Sequence, residues 1–257
     1  YFDTLLITSK LFPAIIEMMT ALSTVPLMNQ PGSTYRYSIG PDVALRLVEI
    51  ISGLEADEYL EQRMFDPLGM NDSGYVVTSD NAHRLSPIHW IKEGELVAIN
   101  EENGSPFGGV LVEDWSVNNY TIDHAYKGGS IGLVSTAEDY WRFAQAMLNG
   151  GELDGERIIG RKTVEYMAQN HLTPRQHENF SPALGFGLGF ATIEIPAGVS
   201  YTTSKGNFYW AGAAATNFWI DPTEDIVVVA MTQHMGVRGT GALRGELHSL
   251  VYGALVD

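Results

Sequence analysis

NFYWAGAAATNFWIDPTEDIVVVAMTQH, residues Asn207–His234, carries two runs rich in β-branched and aromatic side chains, joined by a turn. The first run, Ala215–Ile220, ends at Asp221-Pro222, where the proline ring cannot donate to a strand ladder. Thr223-Glu224-Asp225 completes the turn. Ile226–Met231 is then continuously apolar, the pattern of a strand covered on both faces. Just ahead lie Trp210-Ala211-Gly212-Ala213-Ala214, small residues behind one large aromatic. Two readings of them stay open. Small side chains on a strand admit another molecule's backbone and leave N–H groups pointing at it, and they also pack a strand tightly under a helix.

Working outward, the 257 residues with 45% hydrophobic content suffice for a substantial core, as one large domain or two interleaved lobes. The absence of cysteine excludes disulfides, thiol catalysis and cysteine-ligated metal, and leaves the compartment open. With 31 acidic against 15 basic residues, the net charge of −16 argues against nucleic acid or an anionic membrane surface as a partner. No apolar run reaches transmembrane length and no signal-peptide pattern opens the chain, so a soluble protein is expected. Tyr1-Phe2-Asp3 lacks an initiator methionine and runs straight into an apolar segment. The expectation is an interior point of a longer protein.

Upstream, apolar residues of Leu11–Leu22 recur at helical spacing, with Pro26 as a stop. Pro41 fits the first position of a second helix, Val43, Leu47, Val48 and Ile51 its apolar stripe, and Gly53 its C-terminal glycine. A helix over Ala56–Phe65 is expected to stop before Pro67. His89–Ile91 and Leu96–Ile99 are short strands in the irregular stretch Gly74–Lys127. Ser135 and Glu138 form a capping box ahead of a helix with Tyr140, Phe143, Ala144, Met147 and Leu148 on one face. A helix over Lys162–Asn170 follows, and Gly185–Phe190 leads into the strand Ala191–Ile195. Leu243–Leu255 closes as a helix with Leu243, Leu247, Leu250 and Val251 on one side. Helices packed on antiparallel strands read as α+β.

Local motifs for chemistry are few. Gly128-Gly129-Ser130-Ile131-Gly132 matches the G-x-S-x-G elbow, yet no core strand precedes it and the capped helix starts several residues too late. The glycines read as a turn and Ser130 as structural. No histidine pair has metal-ligand spacing, and GFGLGF enters a strand where a phosphate loop would open a helix. Glu101-Glu102 is a solvated loop pair. Tyr37, between a turn and a helix, is either a core aromatic or a phenol relaying a serine's proton during acylation.

Pro31-Gly32-Ser33-Thr34-Tyr35-Arg36-Tyr37-Ser38, Pro67-Leu68-Gly69-Met70, Gly132–Tyr140, Phe186–Phe190 and Trp210-Ala211-Gly212 with Phe218–Pro222 occur in one register. Together they resemble the serine β-lactamase superfamily, and most closely the family VIII carboxylesterases, which are similar to class C β-lactamases and DD-peptidases. The resemblance implies a β-lactamase/transpeptidase-like α+β fold, an antiparallel sheet flanked by helices plus a helical region, incomplete at its N-terminus. It implies a single domain over 1–257, mostly helix and loop over 41–185 and sheet with C-terminal helix over 186–257. It implies an acyl-serine mechanism without metal or cofactor, in which Tyr37 matches the family tyrosine. Trp210-Ala211-Gly212 matches the third motif, and the Ala213 N–H one oxyanion donor.

Ile39 and Trp210 stand where lactamases keep Asn and Lys, which favours a small-molecule ester with an apolar part over a β-lactam. The family's S-x-x-K is missing, since no serine here has lysine three residues later. The chain therefore reads as the C-terminal part of a carboxylesterase. The alternatives are a non-catalytic relic or binding module, or a β-lactamase/DD-peptidase-like enzyme. A homo-oligomer or a complementing N-terminal segment is the expected protein partner, without nucleic acid or membrane. A bacterial cytoplasmic or periplasmic location fits the resemblance.

Overall fold

A computed structural model describes residues 14–37, 39–106, 117–177, 180–235 and 239–256, with the backbone alone at 239–242. In chain order it contains α1 (Ile15–Leu22), α2 (Gly40–Ser52), α3 (Ala56–Leu60) and the hairpin β1 (His89–Lys92) to β2 (Glu95–Ala98). Then come α4 (Ala137–Leu148), the small hairpin β3 (Glu152–Leu153) to β4 (Glu156–Arg157), and α5 (Arg161–Met167). The chain closes with β5 (Leu184–Phe186), β6 (Ala191–Ile193), β7 (Phe208–Ala211), β8 (Asn217–Asp221), β9 (Ile226–Ala230) and α6 (Gly239–Gly253).

Strands β5 to β9 form one antiparallel five-stranded sheet in sequential order. Side chains alternate across it with the period of a strand. Phe208, Phe218 and Ile220 enter a core with Ala144 and Met147 of α4, whereas Tyr209 and Trp219 enter a second core with Leu247, Val251 and Tyr252 of α6. Val227 and Val229 pack on the first core and Val228 on the second, so β9 is covered on both faces as its apolar run predicts. The α4 face expected from the sequence is the one that packs, since Tyr140, Phe143 and Leu148 line the first core. No helix among the described residues is long and apolar enough to cross a membrane.

Several boundaries differ from the sequence reading, each for a local reason. Leu11–Pro13 and Ser38 lie outside the described residues. The cap of α4 is Thr136, whose side chain accepts from the Asp139 N–H at 3.1 Å; Ser135 instead meets the Ser73 hydroxyl at 2.7 Å. Helical structure continues past Pro67: a π-helical turn, Glu61–Phe65, precedes Asp66–Leu68, and Gly69 at φ 64° ends it. The wider turn sits just ahead of the ring that removes a ladder donor. Gly185-Phe186 is itself strand β5, and the following glycines turn it back into β6. Strand β8 starts at Asn217, two residues late, because Ala215 adopts a left-handed φ of 61° within a turn. On α6 Leu250 is outward at 72% exposure, and buried His248 takes the inner position.

The largest reversal is α2. Pro41 and Gly53 begin and end it as expected, with Gly53 at φ 75°. Its buried stripe, however, is Asp42, Leu45 and Glu49, while Val43, Leu47 and Ile51 of the expected stripe are exposed. Polar groups take the inner face because they satisfy backbone donors there: Glu49 accepts from the Ala56 N–H at 3.2 Å, and Asp42 serves a distant turn.

Candidate active site

Tyr37 lies shortly before α2, and Trp210 on β7. Their rings stack at 5.9 Å between centroids with 15° between planes. Tyr37 is 62% exposed, so it is no core aromatic. Phe186 of β5 meets Trp210 edge-on at 5.4 Å, and Tyr35 leans on both Phe186 at 5.0 Å and Phe180 at 4.7 Å. Burial, and then neighbouring Tyr37, raise the Tyr35 phenol above its ordinary range, which keeps it a neutral wall. Two segments far apart in sequence thus meet over one aromatic surface. Ile39 is half-buried as the residue before α2, its carbonyl accepting from the Val43 N–H at 3.1 Å.

The residues after Trp210 form a tight loop. Ala211 closes the ladder opposite Asn217. The Gly212 N–H donates to the Thr216 carbonyl at 2.9 Å, and the Ala215 N–H donates to the Gly212 carbonyl at 3.1 Å. A side chain at Gly212 would meet Thr216 Oγ1 at 2.2 Å, so the loop closes over a position without Cβ. The Ala214 carbonyl accepts from Thr232 Oγ1 at 2.8 Å and from the His234 N–H at 3.0 Å. The Ala215 carbonyl accepts from Asn217 Nδ2 at 2.8 Å. With the carbonyls of Gly212, Ala214, Ala215 and Thr216 each held by the protein, the exposed Ala213 N–H has no partner among the described residues. Such a donor can receive a developing oxyanion.

Ser130 belongs to a different construction. Its hydroxyl donates to Asp42 Oδ2, and Asp42 Oδ1 accepts from Tyr126 Oη at 2.9 Å and the Gly129 N–H at 2.9 Å. Asp42 is 1% exposed, at the N-terminal turn of α2 where a carboxylate is favoured. Gly129 approaches so closely that a Cβ would lie 2.3 Å from the Pro41 carbonyl oxygen. No strand runs into Ser130, and α4 starts only at Ala137. The turn reading holds.

Sequence reasoning singled out Tyr37, Trp210, Ala211, Gly212, Ala213 and Ile39. It passed over Phe186, Tyr35, Asp42 and Thr232. Phe186 carried a usable signal, an aromatic inside a glycine-rich approach to the strand. Asp42 and Thr232 carried none, since their partners are remote.

An antiparallel sheet with helices packed on both faces fits a β-lactamase/transpeptidase-like fold. The chain belongs to the β-lactamase family, whose description matches residues 4–251. Esterase EstB of Burkholderia gladioli is 24% identical over 241 residues, covering 92% of this chain and 59% of that protein. The lovastatin esterase of Penicillium rubens is 30% identical over 178 residues, 69% of this chain and 40% of its own length. Among solved structures, "EstCE1, a hydrolase with promiscuous acyltransferase activity" superposes with a TM-score of 0.79 at 22% identity, covering 93% of this chain and 62% of that one. The chain thus spans 40% to 62% of the length of these proteins, and 56% of Protein Rv1367c of Mycobacterium tuberculosis, to which it is 28% identical over 240 residues.

Proposed function

We propose that the protein carrying this chain is a serine hydrolase that cleaves short-chain carboxylic esters through an acyl-serine. The serine oxygen attacks the ester carbonyl while its proton passes by way of Tyr37 to the departing alcohol. Water then attacks the acyl-serine, the acid leaves, and the serine regains its proton. The Ala213 N–H stabilises the oxyanion in both steps. Trp210, Phe186 and Ile39 offer apolar surface where a β-lactam amide and carboxylate would need polar partners. The observation that carries this reading is the Tyr37–Trp210 stack at 5.9 Å, because it sets a phenol beside the free-donor loop. Relatives described as esterases support the substrate class. In this reading the serine and lysine of S-x-x-K come from sequence outside these 257 residues.

The second reading, a cleft that binds without turnover, is favoured by that missing motif. Intact mass of the longer protein after a fluorophosphonate, with p-nitrophenyl butyrate turnover alongside, separates the two. The ester reading expects butyrate turnover by the longer protein and kcat/KM far above that for nitrocefin. Nitrocefin winning sinks the ester class, and a single adduct on the longer protein rejects the binding reading.

A further inference from the structure

The Ala213 N–H is the end of a hydrogen-bond chain that starts at a side chain on the segment after β9. Thr232 Oγ1 donates to the Ala214 carbonyl at 2.8 Å. That carbonyl shares a peptide with the Ala215 N–H, which donates to the Gly212 carbonyl at 3.1 Å. The Gly212 carbonyl in turn shares a peptide with the Ala213 N–H. Two peptide planes therefore stand in series between the Thr232 hydroxyl and the free donor, each oriented by the previous bond. Hydrogen bonds in such a chain polarise one another, and the last donor gains most when nothing else competes for it.

The loop needs this support. Ala215 sits at φ 61°, a conformation that alanine adopts only when its surroundings hold it. Rotation of the Ala214–Ala215 peptide would relieve that φ, release the Gly212 carbonyl and let the Ala213 N–H turn away. Thr232 and the His234 N–H both oppose the rotation, and only the first is a side chain. The Ala215 carbonyl on the far side is held by Asn217, whose Oδ1 accepts from Arg244 Nε at 3.1 Å.

We propose that Thr232 is a positioning residue for ester hydrolysis, acting through the Ala214 and Gly212 peptides to aim the Ala213 N–H at the oxyanion. The inference rests on the reading of this loop as the oxyanion site. An interaction felt only as charge develops lowers kcat and leaves KM in place. Removing a direct oxyanion donor costs roughly 10²- to 10³-fold in kcat, so loss of a support two peptides away should cost roughly tenfold. The backbone donor at His234 remains in every variant.

The test is steady-state kinetics of the longer protein on p-nitrophenyl butyrate, comparing wild type with Thr232→Val and Thr232→Ser. Thermal melts accompany each variant. The expected result is a roughly tenfold fall in kcat at unchanged KM for Thr232→Val, and kcat within about twofold of wild type for Thr232→Ser. Thr232→Val at wild-type kcat, a change in KM alone, or equal impairment of both variants overturns the inference while leaving the ester reading intact. A wild-type protein inactive on every ester tried overturns both. If Thr232→Val fails to fold, Thr232→Ala replaces it, judged by the same split between kcat and KM.

Discussion

Tyr37 is 62% exposed and Asp42, in the first turn of α2, is 1% exposed. The phenol of Tyr37 gives up little packing if altered, so its removal should read out in chemistry. Tyr37→Phe is expected to lower kcat on p-nitrophenyl butyrate roughly 10²-fold in the longer protein, the size of a lost general acid–base group. The melting temperature should stay put, and near-normal turnover would remove Tyr37 from the mechanism. Asp42 has the opposite profile. Its carboxylate gathers Tyr126, Gly129 and Ser130, so Asp42→Ala removes one shared acceptor from three donors at once, the Tyr126 hydroxyl among them buried. A loss of roughly 2–4 kcal/mol in urea unfolding is expected, with Ser130→Ala costing about 1 kcal/mol or less because that hydroxyl is exposed. A Ser130→Ala protein that loses fluorophosphonate labelling would overturn the structural role given to Ser130.

At the scale of elements, legibility followed how local each cause is. Strands β8 and β9 were readable because β-branched and aromatic composition, a proline turn and an apolar run all act within a few residues. The α4 face was readable for the same reason, though two adjacent hydroxyls, Ser135 and Thr136, both suited the cap and geometry chose the second. For α2 the sequence pattern misled. Its buried face is set by the Gly128–Ser130 turn, which approaches from far along the chain and demands a carboxylate there. The meeting of Tyr37 with Trp210 is likewise non-local, and only family resemblance suggested it. Because Val43, Leu47, Ile50 and Ile51 are all exposed, and β9 has no strand beyond β8 among the described residues, both surfaces favour association. The 257-residue chain alone is expected to self-associate at low micromolar concentration in sedimentation velocity. Leu47→Glu with Ile51→Lys should shift it toward monomer, and a wild-type chain that sediments as a cooperatively melting monomer would show that these faces need no cover.

For the molecule as a whole, the α6 side of the sheet couples stability to pH. His248 is 1% exposed, stacked on Trp219 at 3.9 Å and facing Tyr252 at 5.4 Å and Tyr201 at 4.4 Å. Its Nδ1–H donates to the Thr202 carbonyl at 3.1 Å, and Nε2 has no partner among the described residues. Burial lowers its pKa from 6.5 to about 4; the Thr202 carbonyl and the Asp221 carboxylate oppose that shift, and the Arg244 guanidinium reinforces it. Burial raises the Tyr252 phenol well above its ordinary range, so it adds no charge beside His248 at these pH values. The unfolded chain therefore binds a proton at His248 before the folded protein does, and stability rises with pH wherever that difference exists. Above about pH 6.5 the contribution is constant, and it is lost progressively as pH falls toward 4. At about 1.4 kcal/mol per pKa unit the full loss is on the order of 3 kcal/mol, enough to matter against a marginal total. Carboxylates of the unfolded chain gain protons toward the same window, so the measurement is a difference between two proteins. Urea unfolding at pH 7 and pH 4.5 should show a steep drop for wild type and a shallower one for His248→Phe, which keeps the stack on Trp219 and removes the titration. Parallel drops would mean that the folded protein admits the charged imidazole, through water reaching Nε2 or a shift of Asp221 toward it.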